Sequence, residues 1–365
     1  MTYKTTGRIS AKLRAMSPPI LISNLTNVRY LTGLSMSAGV VLMTGRKIVL
    51  FVDDRYLEKA EKVRKEDKVD KVEVMHIRKL TKVIKKYKQV RFEADDLTVA
   101  RFARWKKRFK GTRLIPSTGV IEEMRRVKSE KEIKAIRKAC RITDKVLQSI
   151  PQLLSSTRRA AIHGGSRNVL TEKQLAWKIE KLSRELGADE LAFDTIVAFG
   201  ENTSEPHHEP GNRKLKRGDI VQIDMGVKVD GYCSDCSRVF FTGKPSEKQK
   251  SVYDLLVNIV KDATKLAKSG TTNHKLDKFA RDSIKKAGYG ECFTHGLGHG
   301  VGLYIHEDPR ISPRGPRQTL KTGEVITIEP GIYITGQFGM RIENTVLLGN
   351  KSGKALTTNS TRRRI

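Results

Sequence analysis

The sequence is poor in cysteine and in long apolar runs, and these absences exclude two classes of protein. Four cysteines, Cys140, Cys233, Cys236 and Cys292, are too few and too scattered among 365 residues for a disulfide framework, so we expect a reducing cytoplasm. No run of about 18 apolar residues occurs, so no transmembrane helix is expected. The first 19 residues lack the apolar core of a secretory signal, and we expect a short basic arm there.

Acidic residues are scarce relative to basic ones. The chain has 71 lysines and arginines against 40 aspartates and glutamates, a net charge of +31, and this excess can mark nucleic-acid binding. However, the cations are spread along the sequence and aromatic residues make up only 6% of it, so the composition of single-strand binders is missing. We therefore interpret the charge as lysine-rich composition and expect neither a nucleic-acid partner nor a membrane partner.

The length predicts two domains. In the first part of the chain, apolar runs at 40–43 and 47–52 flank a turn and predict a hairpin. Helices are expected at about 53–64, 80–87 and 99–109, and strands at 72–75 and 90–93, an alternation typical of an α/β domain. A turn-rich segment at 116–119 marks the predicted boundary, which gives domains at 1–118 and 119–365.

The second domain carries three helix-start signals. Ser129, Thr171 and Ser246 each precede a Glu or Gln by three residues, the pattern of a capping box. Between the first two helices, residues 155–169 contain arginines and a Gly-Gly pair, and they predict a loop.

Four acids of this domain lie in or at the end of apolar, strand-like runs. Asp224 and Asp235 flank a turn at residues 230–231, so a hairpin would bring them onto neighbouring strands. Glu329 ends one apolar strand, and Glu343 is expected inside another. A lone buried carboxylate is costly, and two close carboxylates both stay ionised only with a cation between them. The four acids together therefore predict a metal site.

Histidines concentrate in the same domain. Residues 294–307 hold three of the eight histidines, His295, His299 and His306, separated by glycines that permit close backbone approach. Alone, the stretch could equally be a glycine-rich loop with hydrogen-bonded histidines. Four carboxylates and one imidazole suit two divalent ions, Mn²⁺ ahead of Zn²⁺, and such a pair can hold a hydroxide and polarise an amide carbonyl. These residues predict metal-assisted hydrolysis.

The motifs resemble those of the pita-bread metallopeptidases, the family of Xaa-Pro dipeptidase (prolidase) and aminopeptidase P. The resemblance covers nearly the whole chain and rests on residues 27–33, 54–56, 193–197, 206–208, 223–226, 234–238, 295–306, 328–331 and 341–344. It implies an α+β protein in which an N-terminal creatinase-like α/β domain precedes a C-terminal pita-bread catalytic domain. It also implies hydrolysis of the Xaa-Pro bond in dipeptides or at the N-terminus of peptides, by a metal-bridging hydroxide.

The resemblance implies a role for each of the five predicted ligands. Asp224 would bind one metal ion, and Asp235 and Glu343 would bridge the two. His299 and Glu329 would hold the second ion, and Glu329 would also take a proton from the bridging water. The ions are expected to be Mn²⁺, with Zn²⁺ or Co²⁺ as alternatives.

The same resemblance implies roles for four further residues, two of them for His306. His207 would assist the leaving group, and His306 would stabilise the tetrahedral intermediate and contact substrate. His295 would line the pocket for the proline ring, while Arg341 would meet a substrate carboxylate or orient metal ligands. The leaving nitrogen of an Xaa-Pro bond must be protonated, and imidazoles near neutrality can supply that proton.

Several alternatives stay open. Dipeptidase and aminopeptidase activity are not distinguished by these residues. Methionine aminopeptidase shares the ligand set but does not normally carry an N-terminal domain of this kind. A basic, non-catalytic pita-bread scaffold that binds nucleic acid or proteins would account for the charge. By analogy with the family we expect a homodimer.

Overall fold

The computed structural model describes residues 17–66, 72–162 and 169–357. The chain divides into two compact units, Met1–Arg125 and Arg126–Ile365. The boundary that we placed after residue 118 stays a prediction. Most of the expected basic arm, residues 1–16, lies outside the described residues.

The first unit contains one six-stranded sheet with the order β4-β3-β2-β1-β5-β6. Its strands are β1 (Ile20–Ile22), β2 (Val40–Met43), β3 (Ile48–Val52), β4 (Val72–His76), β5 (Gln89–Glu93) and β6 (Arg113–Ser117). Its helices are α1 (Leu25–Thr32), α2 (Asp54–Glu66), α3 (Leu80–Ile84), α4 (Val99–Arg108) and α5 (Val120–Arg126), the last of which ends at the division between the units.

Apolar packing places two helices of this unit on one face of the sheet. Leu80 and Ile84 of α3 are buried in the same core cluster as Trp105 of α4, together with sheet residues such as Leu21 and Phe92. The predicted hairpin is confirmed, because β2 and β3 pair antiparallel. Helix α3 is shorter than predicted because its last turn tightens: the amide of Tyr87 donates to the carbonyl of Ile84, three residues back.

The second unit is built from short antiparallel strands and four long helices. Its strands are β7 (Glu190–Leu191), β8 (Ile196–Phe199), β9 (Ile220–Met225), β10 (Val227–Val229), β11 (Tyr232–Cys233), β12 (Cys236–Phe241), β13 (Gly298–Gly300), β14 (Glu307–Ile311), β15 (Val325–Ile328), β16 (Gly331–Ile334), β17 (Phe338–Arg341), β18 (Asn344–Leu348) and β19 (Gly353–Ala355). Its helices are α6 (Glu130–Ile162), α7 (Glu172–Glu185), α8 (Glu247–Leu266) and α9 (Asn273–Lys286).

Two sheets of this unit carry the candidate site. One has the order β12-β9-β8, and the other has the order β14-β13-β15-β18-β19. Apolar side chains of α8 and α9 form one core cluster with strands of both sheets, among them Leu256, Leu276 and Ile326. A second cluster joins α6 and α7 to the β8 and β9 strands, with Leu147 and Ile223 buried in it.

The predicted helix starts are confirmed. Thr171 and Ser246 each make both hydrogen bonds of a capping box, and Ser129 exchanges the same bonds with Glu132. The loop predicted at 155–169 was wrong at its beginning, because α6 continues to Ile162. Residues 155–162 contain no glycine or proline that would end the helix, and the Gly-Gly pair that suggested a loop lies outside the described residues.

In the part of the chain that the structure describes, no helix combines the length and apolarity that crossing a bilayer requires.

Gly226 joins β9 to β10 where another backbone segment approaches closely. A Cβ atom at this position would lie 2.1 Å from the carbonyl oxygen of Ser234. We therefore expect Gly226→Ala to force the strands apart and to lower the free energy of unfolding by at least about 1–3 kcal/mol. Gly290→Ala is the control, because a Cβ atom there would lie 3.3 Å from its nearest neighbour, Cγ of the flexible Lys285 side chain. Equal melting temperatures for the two variants in calorimetry would contradict the close approach.

Candidate metal centre and active site

A cavity of about 700 Å³ in the second unit gathers the predicted site residues. All nine of them line it: His207, Asp224, Asp235, His295, His299, His306, Glu329, Arg341 and Glu343. The volume falls in the range of small-molecule sites. The fold therefore brings together residues that are dispersed over the second half of the sequence, while their individual roles stay predictions.

The two aspartates lie in or next to paired strands, although the predicted place of Asp235 inside a strand was wrong, because it falls between β11 and β12. Asp224 lies in β9, and Asp235 immediately precedes β12. These strands pair antiparallel, with Asp224 opposite Ser237 rather than opposite Asp235. Both carboxylates are buried, at 8% and 4% exposure.

The two glutamates lie at strand ends. Glu329 follows β15 directly, as expected. Glu343 lies between β17 and β18, so its predicted place inside a strand was wrong. The reason is that β17 and β18 belong to different sheets, and the chain passes from one to the other at this residue. The Glu343 amide donates to the carbonyl of Ser237, which fixes the crossing against β12.

His299 presents one ring nitrogen to the carboxylates. Its Nδ1 lies 3.0 Å from the carbonyl oxygen of Gly300, which can only accept, so Nδ1 carries the proton. In the neutral ring, the lone pair of Nε2 then lies 3.3 Å from Glu329 Oε1 and 3.5 Å from Asp235 Oδ2. Burial lowers the pKa of His299, which favours the neutral ring. A neutral ring nitrogen facing carboxylate oxygens is suited to share a cation with them.

The donor set fits divalent metal. Ligand atoms of Asp235, His299 and Glu343 lie within 4.8 Å of one another. Asp224 Oδ1 and Glu343 Oε1 are buried and have no hydrogen-bond partner among the described residues, although buried polar atoms are normally paired. Burial, followed by repulsion from neighbouring acids, raises the pKa of Asp235 and of Glu343. Cations among these oxygens would satisfy the unpaired atoms and offset that repulsion.

Arg341 makes four hydrogen bonds to protein groups. Its buried guanidinium donates to Asp224, to Tyr333 Oη at 2.7 Å, to Ser237 Oγ at 2.9 Å and to the carbonyl of Pro206 at 3.1 Å. Of the two roles that the resemblance implied, these contacts favour the orientation of a ligand, Asp224, over the binding of a substrate carboxylate.

Tyr333 is a site residue that the sequence did not reveal. Its hydroxyl accepts from Arg341 and lies 3.0 Å from His295 Nε2, while His295 Nδ1 donates to the carbonyl of Gly296. The tyrosine hydroxyl therefore donates to His295 and fixes its tautomer. The sequence does not indicate this role, because a tyrosine in an apolar β-strand is expected to be an ordinary core residue.

His306 packs against His299. The ring centroids are 4.3 Å apart, in an edge-to-face arrangement. Burial, with further contributions from His299 and His207, lowers the pKa of His306 to about 4. The ring is therefore neutral near pH 7 and offers an N–H to a developing oxyanion.

Arg310 also lines the cavity and was not predicted. In the described part of the chain, no carboxylate pairs with its guanidinium, in contrast to Arg341. Arginine pairs with carboxylates through several parallel hydrogen bonds, so this side chain can receive an anionic group of a ligand. It lies four residues beyond His306 and stands out only once the cavity is known.

A single buried carboxylate closes the loop that carries His207. The Glu172 side chain, fully buried at the start of α7, accepts hydrogen bonds from Phe199 N (2.8 Å), Asn202 Nδ2 (2.9 Å), Gly211 N (2.9 Å) and His208 Nε2 (3.0 Å). Phe199 and Gly211 lie at the two ends of the loop, so Glu172 ties both ends together.

His208 connects Glu172 to a second acid. Its Nε2 bonds Glu172, and its Nδ1 lies 2.9 Å from Glu205 Oε2. Donation to both carboxylates requires a doubly protonated ring. Burial lowers the pKa of His208, but the hydrogen bonds and charges of the two acids outweigh burial and raise it. The preceding residue, His207, is thereby presented to the cavity from a loop held by a charged clamp, defined here as Glu172, His208 and Glu205.

Four carboxylates and a histidine converge in one cavity of the second unit. This arrangement is typical of a metallopeptidase. The chain belongs to metallopeptidase family M24, whose family model matches residues 134–350, and the creatinase/prolidase N-terminal domain matches residues 18–127. The predicted fold class, a creatinase-like domain followed by a metallopeptidase catalytic domain, is confirmed.

Three proteins that this chain resembles match it over more than nine tenths of both lengths. The Xaa-Pro dipeptidase of Pyrococcus horikoshii is 37% identical over 339 residues, which cover 93% of this chain and 92% of that protein. The structure of Xaa-Pro dipeptidase from Bacillus anthracis matches with a TM-score of 0.88 at 30% identity, over 97% of this chain and 98% of that one. The X-Pro aminopeptidase from Thermotoga maritima matches with a TM-score of 0.84 at 33% identity, over 98% and 99%.

The clamp predicts a specific effect of Glu172→Gln. An amide cannot accept from all four donors, so we expect faster hydrogen exchange at the amides of Phe199 and Gly211. We also expect kcat to fall about tenfold with KM nearly unchanged, because His207 loses its fixed position. Glu205→Gln is the control: Glu205 is exposed, and its substitution should lower the pKa of His208, because a carboxylate is lost, without exposing those two amides.

The clamp also predicts a pH dependence. The folded pKa of His208 lies above its unfolded value of about 6.5, so the stabilisation is complete below that pH and is lost as pH rises through the folded pKa. Titration of the His208 ring by NMR measures this directly. An unshifted pKa in the wild type, or unchanged exchange in Glu172→Gln, would contradict the clamp.

Proposed function

We propose that this metallopeptidase hydrolyses the Xaa-Pro peptide bond, in dipeptides or at the N-terminus of longer peptides, with two divalent metal ions. The observation that carries the proposal is the convergence in one cavity of the five donor residues and of His207, His295 and His306. Two buried carboxylate oxygens there have no hydrogen-bond partner among the described residues. The names of the relatives, Xaa-Pro dipeptidase and X-Pro aminopeptidase, support the substrate class.

The five donors, Asp224, Asp235, His299, Glu329 and Glu343, would hold the metal ions, with Asp235 and Glu343 shared between them. When bound, such ions polarise the scissile carbonyl and make a hydroxide available near neutral pH. Four oxygen donors and one imidazole favour Mn²⁺, while Zn²⁺ and Co²⁺ remain suitable for the same set.

Three residues would accept or supply protons and stabilise the developing negative charge. Glu329 accepts a hydrogen bond from Thr327 Oγ1 at 2.9 Å, which fixes its carboxylate, and burial raises its pKa, which suits it to take a proton. His207, on the clamped loop, would assist departure of the proline nitrogen. The neutral His306 would donate its N–H to the tetrahedral oxyanion.

The walls of the cavity would position the substrate. His295, fixed by Tyr333, would pack against the proline ring, and Arg341 would orient Asp224. The unpaired Arg310 would receive the free carboxylate of a dipeptide, a contact that a longer peptide does not need in the same way. This difference separates dipeptidase from aminopeptidase activity.

Methionine aminopeptidase activity is the second enzymatic candidate, and the match of residues 18–127 to the creatinase/prolidase N-terminal domain favours Xaa-Pro cleavage over it. A purely non-catalytic scaffold is disfavoured because all five donors are present. We further propose a homodimer in a reducing cytoplasm, the latter because all four cysteines are free and three are buried.

The first test is hydrolysis of an Xaa-Pro dipeptide and an Xaa-Pro-Xaa tripeptide by metal-stripped protein supplied with Mn²⁺. Asp235→Asn should lose bound metal, measured by mass spectrometry, and reduce kcat at least about a hundredfold, because the proposed metal site would lose one of its four donor carboxylates. Asp194→Asn, a change at the cavity wall, is the matched control and should keep its metal. Absence of cleavage with any divalent ion despite bound metal would refute Xaa-Pro hydrolysis.

The proposed role of Arg310 predicts that its substitution affects hydrolysis of a dipeptide more than hydrolysis of a tripeptide. Arg310→Met should raise KM for the dipeptide about 10–100-fold, the loss expected for a charge-assisted hydrogen bond, and should affect the tripeptide much less. Steady-state kinetics with both substrates measures the difference. An equal rise in KM for the dipeptide and the tripeptide would show that Arg310 does not bind the free carboxylate of the dipeptide.

A further inference from the structure

The positive charge is concentrated in two segments of the first unit. Residues 77–92 and 97–121 contain 14 lysines and arginines and no aspartate or glutamate. These 41 residues therefore supply 14 of the 31 net positive charges of a 365-residue chain. Lysine-rich composition alone would distribute the excess evenly, so this concentration requires another explanation.

The fold brings the two segments together. Helices α3 and α4 belong to them and pack on the same face of the sheet through Leu80, Ile84 and Trp105. The helices also contact each other directly, because Arg108 Nε donates to Thr81 Oγ1 at 2.6 Å. Thr112, just after α4, bonds the carbonyl of Tyr87, just after α3, at 3.0 Å. The helices of the two acid-free segments thus form one layer.

The outer side of this layer is a cationic surface, here called the basic face. It is defined by six exposed side chains on α3, on α4 or directly after them: Lys82, Lys85, Lys86, Arg104, Lys107 and Lys110. Within the described ranges, none of the six pairs with a carboxylate. Unpaired like charges on adjacent helices repel one another, and a bound polyanion would relieve that repulsion.

We propose that the basic face binds the phosphate backbone of double-stranded nucleic acid without sequence specificity. Lysine-rich helical surfaces neutralise phosphates and release counterions, which gives sequence-independent affinity. Helix α4 is ten residues and so about 15 Å long, which is comparable with the major groove of B-DNA, about 12 Å wide. The sequence alone indicated no nucleic-acid partner, because acids at residues 93–96 separate the two segments in the chain and only the fold places their helices side by side.

Burial of the aromatic residues decides between duplex and single strand. Trp105 and Phe109 of this layer are buried at 7% and 0% exposure, so they form core rather than a surface on which bases could stack. Proteins that bind single strands use exposed aromatic platforms together with cations. The basic face offers only cations, which suits the regular backbone of a duplex.

Charge and packing also argue against two other occupants. A symmetric dimer through this face would set cations against cations, which is repulsive. Peripheral binding to a membrane usually combines cations with apolar side chains that enter the bilayer. On this layer the apolar side of α4 is used in the core, although Val99, at its first residue, is exposed.

The test compares two triple variants of the full-length, metal-loaded protein. Lys82→Glu/Lys86→Glu/Lys107→Glu changes the basic face. Lys244→Glu/Lys261→Glu/Lys275→Glu makes the same change in net charge at exposed lysines of the second unit. Fluorescence anisotropy with a labelled 20-base-pair duplex, DNA and RNA, is measured at about 50 and 200 mM salt, where phosphate contacts respond steeply. Circular dichroism confirms that both variants are folded.

We expect the face variant to bind duplex at least about tenfold more weakly, with the slope of log K against log salt reduced by about 2–3. The control variant should change affinity less than about twofold. Equal weakening in both variants would overturn the proposal in favour of a diffuse charge effect. No duplex binding by the wild type at 50 mM salt, or tighter binding to phosphatidylserine vesicles than to duplex, would also overturn it. None of these results depends on peptidase activity.

Discussion

The second unit depends on the electrostatics of four carboxylates buried around one imidazole. Burial and repulsion from neighbouring acids raise the pKa of Asp235, Glu329 and Glu343, and two carboxylate oxygens of the site have no hydrogen-bond partner in the described chain. Such an arrangement is unfavourable for the protein alone and favourable with cations among the oxygens. The strand pairing of β9 with β12 and of β13 with β15 sets the ligands at that distance. The arrangement that makes the site favourable for cations is therefore the same one that makes it electrostatically unfavourable without them.

The groups around the donors are held by hydrogen bonds that begin at charged residues. Arg341 fixes Asp224 and, through Tyr333, the tautomer of His295. On the other side, the carboxylate of Glu172 closes the loop that presents His207. Both arrangements place an ionised group in the interior with its hydrogen bonds satisfied, the condition under which buried charge is tolerated. Each acts on a histidine that the proposed reaction uses, so positioning and chemistry are separable by mutation.

The two units use charge in different ways. The acids of the second unit face inward and are concentrated in a cavity, where a low dielectric strengthens their interactions. The lysines and arginines of α3 and α4 face outward, where solvent and salt screen them. An inward acidic cluster suits tight binding of small divalent cations, whereas an outward basic layer suits weak, salt-dependent contact with a large polyanion. The net charge of the chain conceals this division.

The sequence by itself determined the elements and the chemistry of the site. Capping boxes at Thr171 and Ser246, the apolar runs of β2 and β3, and the unusual setting of Asp224 and Glu329 are local signals, because they depend on neighbours within a few residues. The tertiary structure alone decided the rest. The crossing at Glu343, the role of Tyr333, the place of Arg310 in the cavity and the four donors to Glu172 depend on residues far away in the chain. Local patterns cannot report such partners, because a tyrosine in a strand or a glutamate at a helix start has the same appearance whether or not a distant atom bonds to it.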